Sequence, residues 1–362
     1  MLPPQGAVYR QDRIGEHGCM NRLDSLSIVP PAFAAADVAA AVAAQFGLRG
    51  TLAPLVSERD QNFCLAADTG ARFVVKVTSA LEDEAASEFQ VAALVHLALQ
   101  DGIQAPGVVY TTSGQRFGTI SDAAMTYRLR VVTWVEGEQL ETLPLDPPLA
   151  ERFGAALARL NQALRGFSHP GENPVLLWDL QRVRDLRPLL EGIDDAAIRA
   201  NVAAAIDDYG SHVVPAIPTL QSQVIHSDAN PENVLVTTDG FGFIDFGDML
   251  KAPRIFEAGI AASYLRSLAG EPLQLIAPFI GGYHRKAPLE ADETDLLFDL
   301  IRARLATTVT LLYWRLRERP AHDEYRQKSL LLEGSASHFL AVLDRLGKQK
   351  FNLKIRGICS VR

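Results

Sequence analysis

The sequence VIHSDANPENVLVTTDGFGFIDFGD, residues 224–248, decides the fold. Residues 234–237 and 241–244 are rich in Val, Leu, Phe and Ile and predict two strands, and Asp239-Gly240 between them is typical of a hairpin turn. Because a tight hairpin brings its two ends together, we expect Asn233, before the first strand, to lie beside Asp245, after the second. Two oxygen-bearing side chains twelve positions apart are thus predicted to meet.

An acid ahead of the hairpin completes a pattern for Mg²⁺-dependent phosphoryl transfer. Asp228 stands five positions before Asn233, and Asp-Phe-Gly follows at residues 245–247. Kinase catalytic loops have this order, with Asp as the base and the Asn and the second Asp as metal ligands. We therefore predict Asp228 as the catalytic base and Asn233 and Asp245 as Mg²⁺ ligands. His226 is expected to pack under the loop and bond its backbone. The alternative for the whole group is a surface loop of solvated acids.

These motifs resemble the aminoglycoside phosphotransferase and choline kinase superfamily, whose catalytic loop usually reads H-G-D-x-x-x-x-N followed by I-D-F or I-D-W. Within it, S-x-x-D-Q-N-F from Ser57 and I-D-F-G-D from Ile244 resemble the hydroxylysine kinase group most. The resemblance covers about residues 50–320 and departs at Ser227, where the family commonly has Gly. It implies an α+β, protein-kinase-like fold with two lobes: a small β-sheet N-lobe with one main helix, and a larger, mostly helical C-lobe.

The resemblance also suggests where the lobes divide. The N-lobe, which covers the nucleotide, is expected at residues 31–137, and the C-lobe, with the catalytic and substrate sites, at residues 138–346. Residues 1–30 are expected to form a disordered extension, with Met20 as an alternative start, and residues 347–362 a peripheral basic tail.

Composition narrows the range of partners. The 362 residues carry a formal charge of −8, which argues against a nucleic-acid partner because phosphate contacts require a basic face. The alanine-rich run at residues 32–46 is interrupted by Asp37 and Gln45 and predicts a helix, not a membrane span. The three cysteines are far apart and fit neither a disulfide framework nor a zinc site, so we expect a cytoplasmic location. The oligomeric state is not indicated.

The nucleotide site is expected to begin in the first hairpin of the N-lobe. The resemblance implies that backbone amides and the Ser57 or Asn62 side chains cover the phosphates, in a loop without the glycines of protein kinases. An ordinary hairpin turn is the alternative. Lys76 lies on the next predicted strand, residues 72–78, at the kinase spacing of a lysine that contacts the α- and β-phosphates.

A kinase lysine is held by an acid on the helix that follows, which is expected here at residues 82–100. Glu88 matches the position in the resembled family, and Glu84, one turn earlier, is the alternative. The crossing between the lobes would present backbone groups to the purine, with Thr133 and Val135 as candidates. Backbone recognition leaves the choice between ATP and GTP open.

The segment after Gly247 bears on the substrate. A helix is predicted to begin near Ile255, and no Ala-Pro-Glu motif or phosphorylatable loop lies between, so there is no platform for a peptide. A small hydroxylated acceptor is therefore predicted. By resemblance we expect a hydroxylated amine of the hydroxylysine type, while choline, ethanolamine, homoserine and aminoglycosides remain open.

Acidic and aromatic side chains are candidates for binding such an amine. We expect Asp179, Asp248 and Glu257 to converge near the base, and Trp178 to offer a cation–π face. The alternative for Trp178 and Asp179 is a core tryptophan beside a helix-capping aspartate. Two other interpretations of the chain are a non-catalytic nucleotide-binding pseudokinase and a metal-dependent hydrolase.

Overall fold

The computed structural model describes residues 30–57, 59–79, 82–267, 270–318 and 324–360. The extension expected at residues 1–30 thus lies outside the described residues, apart from Pro30. The described chain forms the expected α+β fold with two lobes, each of which has its own hydrophobic core.

An antiparallel sheet forms the first lobe. Its strands are β1 (Gly50–Leu55), β2 (Gln61–Ala67), β3 (Arg72–Val77), β4 (Val108–Val109), β5 (Gly118–Ser121) and β6 (Thr126–Thr133). The strand order is β1-β2-β3-β6-β4, and β5 also pairs with β6. Helix α1 (Ala35–Phe46) buries Val38, Val42 and Phe46 against one face of this sheet, because apolar residues four apart share one side of a helix.

The second helix, α2 (Glu84–Leu97), begins after Asp83, whose side chain caps it by accepting the N–H of Ala85. Its apolar side is buried in the core of the larger lobe. Phe89 stacks on Phe167, with ring centroids 6.0 Å apart. The expected helix is confirmed with shorter bounds, and it is anchored to the second lobe. The proposed lobe boundary at residue 137 stays a prediction.

The larger lobe combines short strands with long helices. Its strands are β7 (Glu138–Gln139), β8 (Ser222–Ile225), β9 (Val234–Thr237), β10 (Gly240–Phe243) and β11 (Leu250–Pro253). Its helices are α3 (Pro147–Ala163), α4 (Ala196–His212), α5 (Arg254–Ala262), α6 (Ile276–Lys286), α7 (Ala291–Glu318), α8 (Glu324–Leu346) and α9 (Lys348–Cys359). Short 3-10 helices lie at Leu140–Thr142, Leu180–Gly192, Val214–Thr219 and Phe246–Asp248.

The predicted hairpin is present as β9 and β10, which pair in antiparallel register with Val234 opposite Phe243 and Thr237 opposite Gly240. The turn therefore falls at residues 238–239, one position earlier than Asp239-Gly240. Strands β8 and β11 also pair, so the chain entering the catalytic loop lies beside the chain leaving the Asp-Phe-Gly segment. These two pairings hold both functional segments at one place.

The expected peripheral tail is instead the helix α9. Phe351 and Ile355 are fully buried, since two apolar residues four apart give this basic segment one apolar side. Arg356 and Lys348 form ion pairs with Asp295 and Asp299 of α7. The helix therefore belongs to the packed lobe.

Candidate active site

The catalytic loop has an unusual backbone conformation at two points. Within the described ranges, Ser227 and Asp245 are the residues other than glycine with positive φ, 66° and 57°. This region is unfavourable for residues with a Cβ and costs glycine little. The conformation explains why the resembled family commonly has Gly at the position of Ser227.

Two buried side chains support this loop from below. The His226 ring lies 3.0 Å from the Ile244 carbonyl through Nε2, and its Nδ1 accepts the N–H of Asp228 at 3.3 Å. Glu257 of α5 accepts the N–H of His226 at 2.6 Å and of Ser227 at 3.2 Å through one oxygen. Burial lowers the pKa of His226 and raises the pKa of Glu257 to about 7. Both residues thus hold the loop, as predicted for His226.

Asp228 projects from the loop with 20% of its side chain exposed. One carboxylate oxygen accepts from Arg304 Nη2 at 2.8 Å, and the other accepts from the amides of Asn230 and Asn233 at 3.0 and 2.8 Å. Burial raises the pKa of this carboxyl, and the Arg304 guanidinium opposes that effect. The carboxylate is therefore fixed in direction by groups on both sides, as a base that must face an incoming hydroxyl requires.

Asn233 and Asp245 are neighbours, as the hairpin predicted. The N–H of Ile244 donates to the Asn233 carbonyl at 2.9 Å, which places residue 245 next to residue 233. Lys76 of β3 reaches across from the first lobe, with Nζ 3.1 Å from Asp245 Oδ1. The lysine lowers the pKa of Asp245, so this carboxylate is ionised at neutral pH.

The donor atoms at this point suit a magnesium ion. Asn233 donates both of its side-chain bonds through the amide nitrogen, to the Asp228 carbonyl and carboxylate, so its amide oxygen keeps its lone pairs. Asp245 leaves 53% of its side chain open to the cleft. A carboxylate and an amide oxygen are the hard ligands that Mg²⁺ takes alongside phosphate oxygens. The residues present fit the ion that the sequence predicted.

Lys76 has a partner different from the one expected. Among the described residues no ion pair joins Lys76 to Glu88, which instead contacts Arg128 at 3.3 Å and Arg116 at 3.8 Å. Glu84 also pairs with Arg128. Arg128 extends from β6 toward the exposed side of α2 and attracts both Glu84 and Glu88. Lys76 instead contacts Asp245, the predicted metal ligand.

Gln90 of α2 contacts the segment that follows Asp245, the predicted metal ligand, and this contact was not predicted from the sequence. Gln90 Nε2 lies 3.5 Å from the Gly247 carbonyl and donates to Glu82 Oε1 at 2.9 Å. Burial raises the pKa of the Glu82 carboxyl, which lies just before the helix. Gln90 therefore links α2 to the Asp-Phe-Gly segment, a contact that the charged residues of the helix alone did not reveal.

The loop between β1 and β2 lies over the Asp-Phe-Gly segment. Ser57 Oγ accepts the N–H of Asp60 at 3.3 Å, which shapes the turn, and Asn62 is buried on β2 opposite Lys76. Arg59 extends from this loop to Asp248 Oδ1 at 2.6 Å. The loop is therefore positioned to cover phosphates, with an arginine at its tip.

Hydrogen bonds at the crossing between the lobes narrow the choice of the residue that would contact the purine. The Thr133 N–H donates to the Gly107 carbonyl at 2.8 Å, and its hydroxyl accepts the Gly107 N–H at 2.8 Å. Trp134 donates to the Arg72 carbonyl at 3.1 Å. The backbone amide of Thr133 is thus engaged within the sheet, which leaves Val135 as the better candidate for a purine contact.

The acids expected to bind an ammonium group are each engaged by another partner. Glu257 is fully buried beneath the loop, and Asp248 is paired with Arg59. Asp179 is 5% exposed and caps the 3-10 helix at residues 180–192 by accepting the Gln181 N–H at 2.9 Å. Each acid therefore has a structural partner, because buried carboxylates are held by nearby donors. Trp178 does lie near the base, but its ring faces two arginines.

Arg304 of α7 is the main residue of the site that the sequence did not reveal. It is 1% exposed and lies between the rings of Trp178 and Tyr264, bonded to Asp228. The signal available was weak: an arginine at a helical position seventy-six residues from Asp228 looks like any surface arginine.

This fold and this site define a kinase-type phosphotransferase that acts on a hydroxyl group. The chain belongs to the phosphotransferase enzyme family, whose model matches residues 51–293, and the expected resemblance to aminoglycoside phosphotransferases and hydroxylysine kinases is confirmed. It is a small-molecule kinase of that family.

Relatives and solved structures agree with this assignment. The chain is 28% identical over 302 residues to a hydroxylysine kinase of Danio rerio, covering 77% of this chain and 83% of the relative. Its fold is similar to a microcompartment-associated aminopropanol kinase, with a TM-score of 0.65, 18% identity, and coverage of 82% and 92% of the two chains. An amicoumacin kinase solved with AMP-PNP and Ca²⁺ gives a TM-score of 0.62, 15% identity, and the same coverage of both chains.

The helices also bear on the expected absence of a membrane span. Across residues 30–360, wherever the structure describes the chain, none of them is long and apolar enough to cross a bilayer.

Proposed function

We propose that the protein transfers the γ-phosphate of ATP or GTP, with Mg²⁺, to a hydroxyl of a small amine or amino-acid-like acceptor of the hydroxylysine type. The observation that carries this proposal is the meeting of Asp228, Asn233 and Asp245 with Lys76 at the junction of the lobes. The Danio rerio relative supports the acceptor type.

Each of these residues has a role in the proposed reaction. Asp228 accepts or orients the proton of the attacking hydroxyl, and its hydrogen bonds keep the carboxylate aimed. Asn233 and Asp245 would hold Mg²⁺, which neutralises charge on the transferred phosphoryl group when it is bound. Lys76 contacts the α- and β-phosphates.

The remaining nucleotide contacts come from the first lobe. Ser57, Asn62 and the backbone of their loop cover the phosphates, and Val135 contacts the purine. A cytoplasmic location and the lack of a nucleic-acid partner stay predictions.

A substrate screen tests the proposal. The purified protein is incubated with Mg-ATP or Mg-GTP and with hydroxylysine, homoserine, choline, ethanolamine or an aminoglycoside, and nucleoside diphosphate and phosphomonoester are measured. We expect acceptor-dependent diphosphate release with an equal amount of phosphomonoester. Nucleotide binding without turnover on any acceptor would indicate a pseudokinase. Release of inorganic phosphate without an acceptor would indicate a hydrolase.

A hydrolase has less support from the geometry. A metal-dependent hydrolase would use His226, Asp228, Asp245 and Asp248 as metal ligands. The ring nitrogens of His226 are engaged by the Ile244 carbonyl and the Asp228 N–H. A hydrolase mechanism also gives Lys76 no role.

A further inference from the structure

Guanidinium groups and aromatic rings alternate in one row beside the catalytic base, here called the arginine–aromatic row. It consists of Arg315, Trp178, Arg304, Tyr264 and Arg266. The Arg304 guanidinium lies 4.6 Å from the Trp178 ring centroid and 5.7 Å from that of Tyr264. Arg266 lies 5.5 Å from the same Tyr264 centroid. The row reaches the base through the 2.8 Å contact between Arg304 and Asp228.

Within this row, the hydrogen bonds of Arg266 go to uncharged groups. Arg266 donates to the Ser263 carbonyl at 2.9 Å and, at 3.3 Å each, to the Leu332 carbonyl and the Ser335 hydroxyl. None of these acceptors is charged, and no ion pair of Arg266 occurs among the described residues. Burial lowers the pKa of Arg266 to about 10. A partly buried guanidinium keeps its charge, so a site of this kind favours an anion.

The same side of the cleft offers little to an ammonium group. The Glu257 carboxylate accepts hydrogen bonds from the catalytic-loop backbone, and Asp248 pairs with Arg59. Asp179 caps a 3-10 helix. Guanidinium groups already lie against the rings of Trp178 and Tyr264 that are near the base. An acceptor with ammonium groups alone would therefore meet like charge on this side, whereas the carboxylate of an amino acid would complete the row.

We infer that the acceptor is a hydroxylated amino acid whose carboxylate binds the arginine–aromatic row, with Arg266 as its principal partner. Tyr264 and Trp178 are half-buried, and Arg304, which contacts both rings and Asp228, is buried. The hydroxyl then reaches Asp228 while the carboxylate binds on the far side of the Tyr264 ring. This inference rests on the proposed function and narrows its acceptor class. Hydroxylysine, named for the Danio rerio relative, carries a carboxylate, whereas aminopropanol, named for the structural neighbour, does not.

Matched acceptors test the inference on the unaltered protein. Hydroxylysine is compared with hydroxylysine amide, which keeps the hydroxyl and both amines. Homoserine is compared with 3-amino-1-propanol, which is homoserine with hydrogen in place of its carboxylate. We expect kcat/KM to fall about 100-fold when the carboxylate is removed from the better amino acid, since one charge-assisted contact is lost. The measurement is phosphomonoester formation.

Variants locate the effect at Arg266. In Arg266→Gln the preference for the carboxylate should shrink below about 10-fold, and Arg266→Lys should restore part of it. The control is Arg285→Gln, which removes an exposed arginine paired with Glu151 and should keep the full preference. Melting temperature and nucleotide affinity establish that each variant is folded.

The outcomes separate the two proposals. Phosphorylation of both members of a pair at equal rates, or a preference for the carboxylate-free member, would leave the kinase assignment standing and overturn the carboxylate site. A preference that survives in Arg266→Gln would overturn the role of Arg266. Phosphorylation of no hydroxylated acceptor at all would remove the proposed function, and this inference with it.

Discussion

Arg304 holds one oxygen of the Asp228 carboxylate, and the amides of Asn230 and Asn233 hold the other. Burial alone would drive this acid toward its protonated form, and a guanidinium 2.8 Å away opposes that change. The same amide of Asn233 that steadies the base leaves its oxygen for the metal. At the scale of single residues, the proposed base and the proposed metal ligand are therefore parts of one hydrogen-bonded group.

The pH dependence of stability follows from Glu257. Its pKa is about 7 in the folded protein, above the ordinary value of 4.5, so folding favours its protonated form. Its contribution to stability is therefore full below pH 4.5 and is lost as the pH rises through 7. Glu257→Gln keeps an oxygen for the two loop amides but does not ionise. We expect its free energy of unfolding, relative to the unaltered protein, to rise by about 2 kcal/mol between pH 5 and pH 8.

Urea unfolding at the two pH values measures this difference. Glu191→Gln is the control, since Glu191 is exposed and its substitution should leave the pH dependence unchanged. The acceptor KM of Glu257→Gln should stay near that of the unaltered protein, because Glu257 lies under the loop and away from the substrate. Parallel stability curves for Glu257→Gln and the unaltered protein would contradict the assignment.

At the scale of elements, two strand pairings position the chemistry. The β9–β10 hairpin sets Asn233 beside Asp245, and the β8–β11 pair brings the start of the catalytic loop back to the same place. Between β8 and β9 the loop passes through Ser227 at φ 66°. Glu257 and His226 hold the loop in this conformation through hydrogen bonds to its backbone.

This conformation gives a matched pair of substitutions at Ser227. Ser227→Gly should keep both stability and turnover, because glycine adopts positive φ without strain. Ser227→Val should lower the free energy of unfolding by about 2 kcal/mol and reduce turnover, because a β-branched residue is strongly disfavoured there. Urea unfolding and kcat measure the two effects. A valine variant as stable as the glycine variant would show that the loop does not require this conformation in solution.

Local features of both fold and site were predictable from the sequence. The hairpin, the strand with Lys76 and the helix after it depend on contacts within a few residues, so propensity and alternation reveal them. The hairpin turn was displaced by one residue because Gly240 joins the strand opposite Thr237. Spacing alone was sufficient to predict that Asp228, Asn233 and Asp245 lie close together.

Side-chain contacts between elements that are far apart in the sequence were not predictable in this way. The pattern of α2 identifies which side carries Glu88, but not that Arg128 on a strand forty residues later faces it. Likewise, Arg304 on α7 and the true roles of Glu257 and Asp248 depend on how separate elements are packed. A buried arginine and a surface arginine give the same sequence signal, so the arginine–aromatic row beside Asp228 was missed.

At the scale of the whole molecule, contacts from the first lobe and α2 converge on one short segment of the second lobe. Lys76 contacts Asp245, Arg59 contacts Asp248, and Gln90 approaches the Gly247 carbonyl. The phosphates of a nucleotide placed at this junction would lie between cationic side chains and the metal ligands, with the base beyond them. We therefore expect nucleotide binding to depend on Lys76 and the proposed metal ligands, and phosphoryl transfer to depend on Asp228 in addition.

The most direct measurement of this central claim compares turnover and nucleotide binding in Asp228→Ala. With the best acceptor from the screen, we expect the rate of phosphomonoester formation to fall about 1,000-fold, because the group that orients the hydroxyl is gone. The affinity for Mg-nucleotide should be unchanged, since Lys76, Asn233 and Asp245 remain. A near-normal rate in this variant would contradict the assignment of the base and the account built on it.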